Sequence, residues 1–267
     1  MSTRNILLAP FMLVFVLGSI FSARSEESPK RPDISRKEIV SRFSARVPRQ
    51  WAENVPGVKT RLDTYRKVIA LTLDACDSGD DGYDTNLVRY LVREHIPATL
   101  FICGRWIDKN PEIFKQLAAN RLFEIENHGC RHKPSSVTGQ SVYGIKGTAS
   151  PGEVFDEIGK NGQKIRQLTG RQPKYYRSGT AYYDEVAVEI AGVMGYQVVG
   201  FSVLGDKGAT YSASQVKAAL LTVEPGSIVI CHMNHPEKET AEGIIAAVPE
   251  LKKRGFRFVR LSEYNLE

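Results

Sequence analysis

The chain has 267 residues, 42% hydrophobic and 25% charged, a balance that excludes disordered and fibrous chains and suits one large domain. Its formal charge is +6, falling to +4 if Arg4 and Arg24 leave with the first 25 residues. A mildly basic body tolerates an anionic polymer or surface. No basic stripe with interleaved aromatic residues marks a nucleic-acid site, so nucleic acid is not the expected partner.

Arg4 precedes an almost wholly apolar run from Ile6 to Phe21, and Ala23-Arg24-Ser25 offers small residues around a cleavage point. Residues 1–25 therefore read as a secretory signal, which implies a secreted or periplasmic protein. An uncleaved anchor is the alternative, with Pro10 against it. No later segment is apolar for long enough to span a bilayer, so no stable membrane span is expected after cleavage. Residues 26–66 are charged, contain Pro29, Pro32, Pro48 and Pro56, and read as an N-terminal arm with a short helix over 35–43.

From residue 67 to 267 a regular rhythm follows. Buried-strand runs are predicted at 68–73, 98–102, 122–126, 175–176, 196–201, 227–230 and 256–259. Helices between them open at Asp84, Asn110-Pro111, Ser150-Pro151, Asp184, Ser212 and Thr240, residues suited to capping or to the first turn. About seven strands alternating with helices predict parallel pairing through right-handed crossovers. With no dinucleotide fingerprint, the expected class is α/β, a distorted (β/α) barrel of about seven parallel strands.

Chemistry in such barrels sits where strands end and βα loops begin. Those ends here carry Asp74 to Asp77, Cys103 to Trp106, Asn127 to His132, Arg177 to Gly179, Asp206, and Cys231-His232. His128 and His132 are four apart, and neutral imidazoles suit zinc, whose catalytic sites leave one position open for water. Asp74 and Asp77 end an apolar strand, where one carboxylate can ligate a metal and another take a proton. The bland reading of Asp80 and Asp81 is a hydrophilic turn. Arg177 is placed to fix a base carboxylate, and His232, ending the most apolar strand, suits a general acid. Cys76, Cys103, Cys130 and Cys231 each follow a strand, and export permits a disulfide among them, with Cys76–Cys231 one pairing.

Leu71-Thr72-Leu73-Asp74, Ile96 to Phe101, Asn127 to His132, Tyr176-Arg177 and Ile228 to His232 stand in an order that resembles the polysaccharide deacetylases with a NodB-homology domain, carbohydrate esterase family 4. The resemblance covers about Val68 to Leu261, and so makes 67–267 the catalytic domain. It implies metal-dependent removal of acetyl groups from N-acetylated sugars, with Zn2+ the expected ion and a polysaccharide the partner. By position Asp74 resembles the general base oriented by Arg177, and His128 and His132 resemble metal ligands. His232 resembles the general acid, tuned by Asp206, and Ile230 part of the acetyl pocket.

Two departures stand out. Ala75 occupies the place of the family's third ligand, an Asp; Asp77 is the expected replacement, with Asp84 or Asp74 as alternatives. Ser178-Gly179 replaces the prolines that usually follow the Arg, and Ser135 to Ala149 is a candidate lid. Export favours peptidoglycan as substrate. Chitooligosaccharide or O-acetylated xylan, and a non-catalytic glycan-binding homologue, are the alternatives. Nothing in the chain sets an oligomeric state.

Overall fold

The computed structural model describes residues 34–76 and 82–267. The signal-like segment 1–25 and Asp77, Asp80 and Asp81 lie outside them. Nine strands form one parallel sheet: β1 (Val58–Lys59), β2 (Val68–Ala75), β3 (Ala98–Ile102), β4 (Phe123–Asn127), β5 (Tyr175–Tyr176), β6 (Gln197–Val199), β7 (Val203–Leu204), β8 (Ser227–His232) and β9 (Arg257–Val259). Their order is β7-β8-β2-β3-β4-β5-β6-β1, with β9 on the first half of β2, beside Val68 to Ala70. This is the curled (β/α) barrel expected. The two strands that periodicity did not announce, β1 and β7, have two residues each, too few to show alternation.

Every residue of β2 is buried, because the sheet is covered on both faces. Side chains alternate between those faces with period two. Ile69, Leu71, Leu73 and Ala75 pack outward under the helices Thr85–Arg93 and Thr240–Lys253. Val68, Ala70, Phe101, Tyr175, Val199, Ile228 and Val259 fill the interior. The same alternation carries Thr72, Asp74 and Cys76 inward, and likewise Ile230 and His232 on β8.

The stretch read as an arm supplies β1 and the helix Arg36–Phe43, whose Ile39 and Phe43 pack with Val154, Ile158 and Val186. Helix starts follow the predicted caps: Asp84, Ser150, Asp184 and Ser212 each accept a backbone N–H from the first turn. Asp84 caps its helix by accepting the Leu87 amide at 2.8 Å, and it is not part of the metal-type donor cluster found among the described residues. No described helix is long and apolar enough to cross a membrane.

The cysteine expectation is corrected. None of the four thiols is in a disulfide. Cys76 continues the inward parity of β2, whereas Cys231 and Cys103 lie in the helix-facing core. A Cys76–Cys231 bridge would have to cross the sheet. The Ser135 to Ala149 segment is pinned by Ser135 N donating to the Tyr182 carbonyl at 3.1 Å and Val137 N donating to Asp184 Oδ2 at 2.7 Å.

Candidate active site

Register sets the centre of the site. Asp74 on β2 lies directly beside His232 on β8, and Asn127 on β4 beside Tyr176 on β5, so the residues that follow reach the same mouth. Arg177, fully buried, donates from one terminal nitrogen to Asp74 Oδ1 at 2.7 Å and to Thr72 Oγ1 at 2.9 Å. Its other nitrogens donate to the carbonyls of Val199 and Gly200 at 3.1 and 2.8 Å, and its plane lies 4.2 Å over the Phe101 ring. A guanidinium held at this many points cannot swing away, so it fixes the carboxylate in one orientation. The second oxygen, Asp74 Oδ2, is left facing His128 Nε2 at 3.6 Å.

Opposite stands His232. Its Nδ1 meets Asp206 Oδ1 at 2.9 Å, and its backbone N–H donates to Asp206 Oδ2 at 2.7 Å. Burial alone pushes the imidazole down. The charge and hydrogen bond of Asp206, with the charge of Asp74, outweigh it and raise His232 to about 9. Burial works against Asp206 as well, yet the His232 charge and hydrogen bonds hold that carboxyl below its ordinary value. Ile230, two residues earlier on the same face, is buried in the floor.

His128 and His132 come together with ring centroids 5.1 Å apart. His128 Nδ1 donates to the Arg177 carbonyl at 3.0 Å, which leaves Nε2 as the lone-pair nitrogen toward the mouth. Burial pushes His128 down, with Asp74 opposing and Arg177 adding to the shift. Burial also lowers His132 strongly, helped by the charges of His128, His232 and Arg105. Both rings are therefore neutral, the form that binds metal. Cys76 Sγ joins them: the three ligand atoms lie within 4.8 Å of one another. That sulfur and nitrogen donor set fits a divalent ion of the zinc type. Of the sequence-named residues, the structure thus gathers Asp74, Arg177, His128, His132, Asp206, His232 and Ile230 at one mouth. Asp77 lies outside the described residues.

Sequence reasoning missed the supports. Glu157, buried on the helix Pro151–Thr169, accepts Arg131 N at 2.6 Å and Lys133 N at 3.3 Å, tying down the histidine loop. Asn161, one turn on, donates to Asn127 Oδ1 at 2.8 Å, and that oxygen also accepts Gly129 N at 2.9 Å. The signal was available: polar residues at i and i+4 on the buried face of an amphipathic helix. At position 179 no larger residue fits, since a Cβ there would collide with the His132 backbone. Glycine lets this loop lie against the histidine loop.

A parallel β/α barrel with a carboxylate–arginine pair, a carboxylate–histidine pair and three clustered metal-type donors at its C-terminal mouth defines a hydrolase site. The chain matches the polysaccharide deacetylase family over residues 61–199 and belongs to that family of enzymes. It is 23% identical over 213 residues to the peptidoglycan-N-acetylmuramic acid deacetylase of Bacillus subtilis, covering 77% of this chain and 74% of that protein. It is 27% identical over 210 residues to a peptidoglycan-N-acetylglucosamine deacetylase of Bacillus cereus, covering 77% and 92%. Among solved structures, a family 4 carbohydrate esterase pseudoenzyme of Bacillus anthracis superposes with a TM-score of 0.66 at 19% identity, covering 79% of this chain and 69% of that one.

Proposed function

We propose that this protein is a divalent-metal-dependent deacetylase of N-acetylated sugars in a polysaccharide, peptidoglycan foremost, acting in a secreted or periplasmic setting. The observation that carries the reading is the in-register pair Asp74 and His232, one clamped by Arg177 and the other by Asp206. Cys76, His128 and His132 would hold the ion, Zn2+ by their donor chemistry, and Asp77 is the carboxylate alternative to Cys76. When bound, such an ion polarises the acetyl carbonyl and acidifies water.

The chain's own groups supply the proton traffic. Asp74 Oδ2 takes the proton of the attacking water as its oxygen bonds to the carbonyl carbon. His232, protonated at neutral pH, gives its proton to the sugar nitrogen as the C–N bond breaks. Acetate and the free amine result. Ile230, buried on the same face as His232, would supply an apolar wall for the acetyl methyl. In this reading residues 1–25 direct export, and 26–66 form the N-terminal arm, whose described part 34–66 packs on the catalytic span 67–267.

Acetate release from peptidoglycan strands, abolished by chelator, restored by Zn2+ and absent from His128→Ala, is the expected result. Release confined to chitooligosaccharide or to O-acetylated xylan would reassign the substrate. The pseudoenzyme neighbour and the alanine at position 75 favour one other reading, a glycan-binding protein without catalysis. Metal-loaded protein that binds glycan yet releases no acetate from any of these substrates would establish it.

A further inference from the structure

Beside the histidine loop three aromatic rings from distant parts of the chain meet at the surface. Ser141–Val142 and Ile145–Lys146 pair as an antiparallel hairpin whose two-residue turn is Tyr143-Gly144. Both turn residues have positive φ, 52° and 76°. Turns of this hand favour Asn-Gly, because a bulky side chain is disfavoured at a left-handed position. Tyrosine here costs conformational energy and gains no core packing, since Tyr143 is 72% exposed. Residues held against their backbone preference gather at sites of use.

The Tyr143 ring stands edge-on to Tyr182, with centroids 5.8 Å apart and planes at 87°. Tyr182 lies 5.7 Å from Trp51, which the arm delivers through a short strand paired with Tyr183–Asp184. Trp51 and Tyr182 are half-buried, so part of each stays open. Glu53 Oε1 lies 3.5 Å from the Tyr143 hydroxyl and adds an acceptor at the rim. Tyr182 follows Gly179, which abuts the His132 backbone, by three Cα–Cα steps, a span of at most about 11 Å. The aromatic group is therefore a neighbour of the candidate metal site.

We propose that Trp51, Tyr143 and Tyr182 form a stacking platform for a sugar ring next to the one being deacetylated, so that the protein takes extended glycan rather than isolated amino sugars. The identity of the ligand rests on the deacetylase reading. A pyranose presents a face of C–H bonds with slight positive charge, which matches the negative π face of an aromatic ring. Tyrosine and tryptophan offer this contact with few torsions to freeze. The tyrosine hydroxyls and Glu53 suit the sugar hydroxyls around the ring edge.

The chain has two tryptophans, and Trp106 is fully buried, so Trp51 reports on the platform by fluorescence. Titration of metal-stripped protein with the N-acetylglucosamine hexamer should shift Trp51 emission saturably, whereas the monomer should not. Tyr143→Ala should weaken hexamer binding about three- to tenfold, the worth of one aromatic contact. Tyr143→Asn restores the favoured Asn-Gly turn, so it should raise the melting temperature while weakening hexamer binding as the alanine does. A purely structural tyrosine would lose stability in that variant and leave binding unchanged, and that result overturns the proposal. Equal hexamer affinity in all three proteins, or no Trp51 response, overturns it as well. Acetate assays on the same samples keep the two readings apart: Tyr143-dependent binding without acetate release refutes the deacetylase alone. Acetate release with unchanged KM for the hexamer in both variants refutes the platform alone.

Discussion

Asp74 and Asp206 are both buried carboxylates paired with a cation, and they are built for opposite purposes. Asp74 meets a cation that never titrates, and Arg177 binds only its Oδ1, so Oδ2 remains open to the mouth. Asp206 meets a cation that does titrate, and both its oxygens are spent, on His232 Nδ1, His232 N and Thr240 Oγ1. One carboxylate can receive a proton from a reactant; the other can only hold a proton on its neighbour. Counting occupied oxygens distinguishes the proposed base from the support of the proposed acid where residue type alone cannot.

The largest expected effect breaks the Asp74 side. Asp74→Asn keeps an oxygen for Arg177 but cannot accept the proton, so kcat for acetate release should fall about 10²–10⁴-fold. Its melting temperature should stay close to that of the unaltered protein. Retained activity would place the base elsewhere and dissolve the contrast. Arg177→Met attacks the same pair from the cation side. It strands a buried carboxylate, for which about 3–5 kcal/mol of stability loss is expected in urea unfolding. Loss below 1 kcal/mol would mean that Arg177 does not clamp the site.

The candidate metal donors lie on the Asp74 side, with His128 Nε2 3.6 Å from Asp74 Oδ2. Cobalt-loaded protein should show a near-ultraviolet sulfur-to-cobalt charge-transfer band. That band should vanish in Cys76→Ser, with metal affinity falling by more than the roughly 10–100-fold typical of losing an outer-shell partner. A missing band in unaltered protein, with affinity lost instead in Asp77→Asn, would restore the carboxylate as third ligand. The smallest effect sharpens the Asp206 side. Asp206 raises His232, so the proposed general acid stays charged up to about pH 9 and activity should decline as pH rises through that value. In Asp206→Asn the alkaline limb should move to lower pH, read from kcat profiles. An unmoved limb would show that His232 does not set it.

Much of this was legible in one dimension. Capping residues placed the helix starts, because each start must satisfy orphan amides locally. Continuous apolar runs placed the strands, because strands of a sheet covered on both faces carry apolar residues on both sides, and the barrel rule then placed the mouth residues Asp74, His128, Arg177 and His232. What could not be read were the short strands β1 and β7 and the six-residue helix Gly104–Lys109, whose patterns are too brief. The thiols were misjudged because following a strand does not say which face a side chain takes, and Cys231 and Cys76 take opposite ones.

The sequence by itself determined the alternating strand and helix plan and the order of its candidate site residues, since both rest on local spacing. Only the tertiary structure decided which groups pair: Arg177 with Asp74, His232 with Asp206, Cys76 with the two histidines, and Tyr143 with Tyr182 and Trp51. Those pairings join residues far apart in the chain, through strand register and the inward parity of each side chain. No local pattern carries that information.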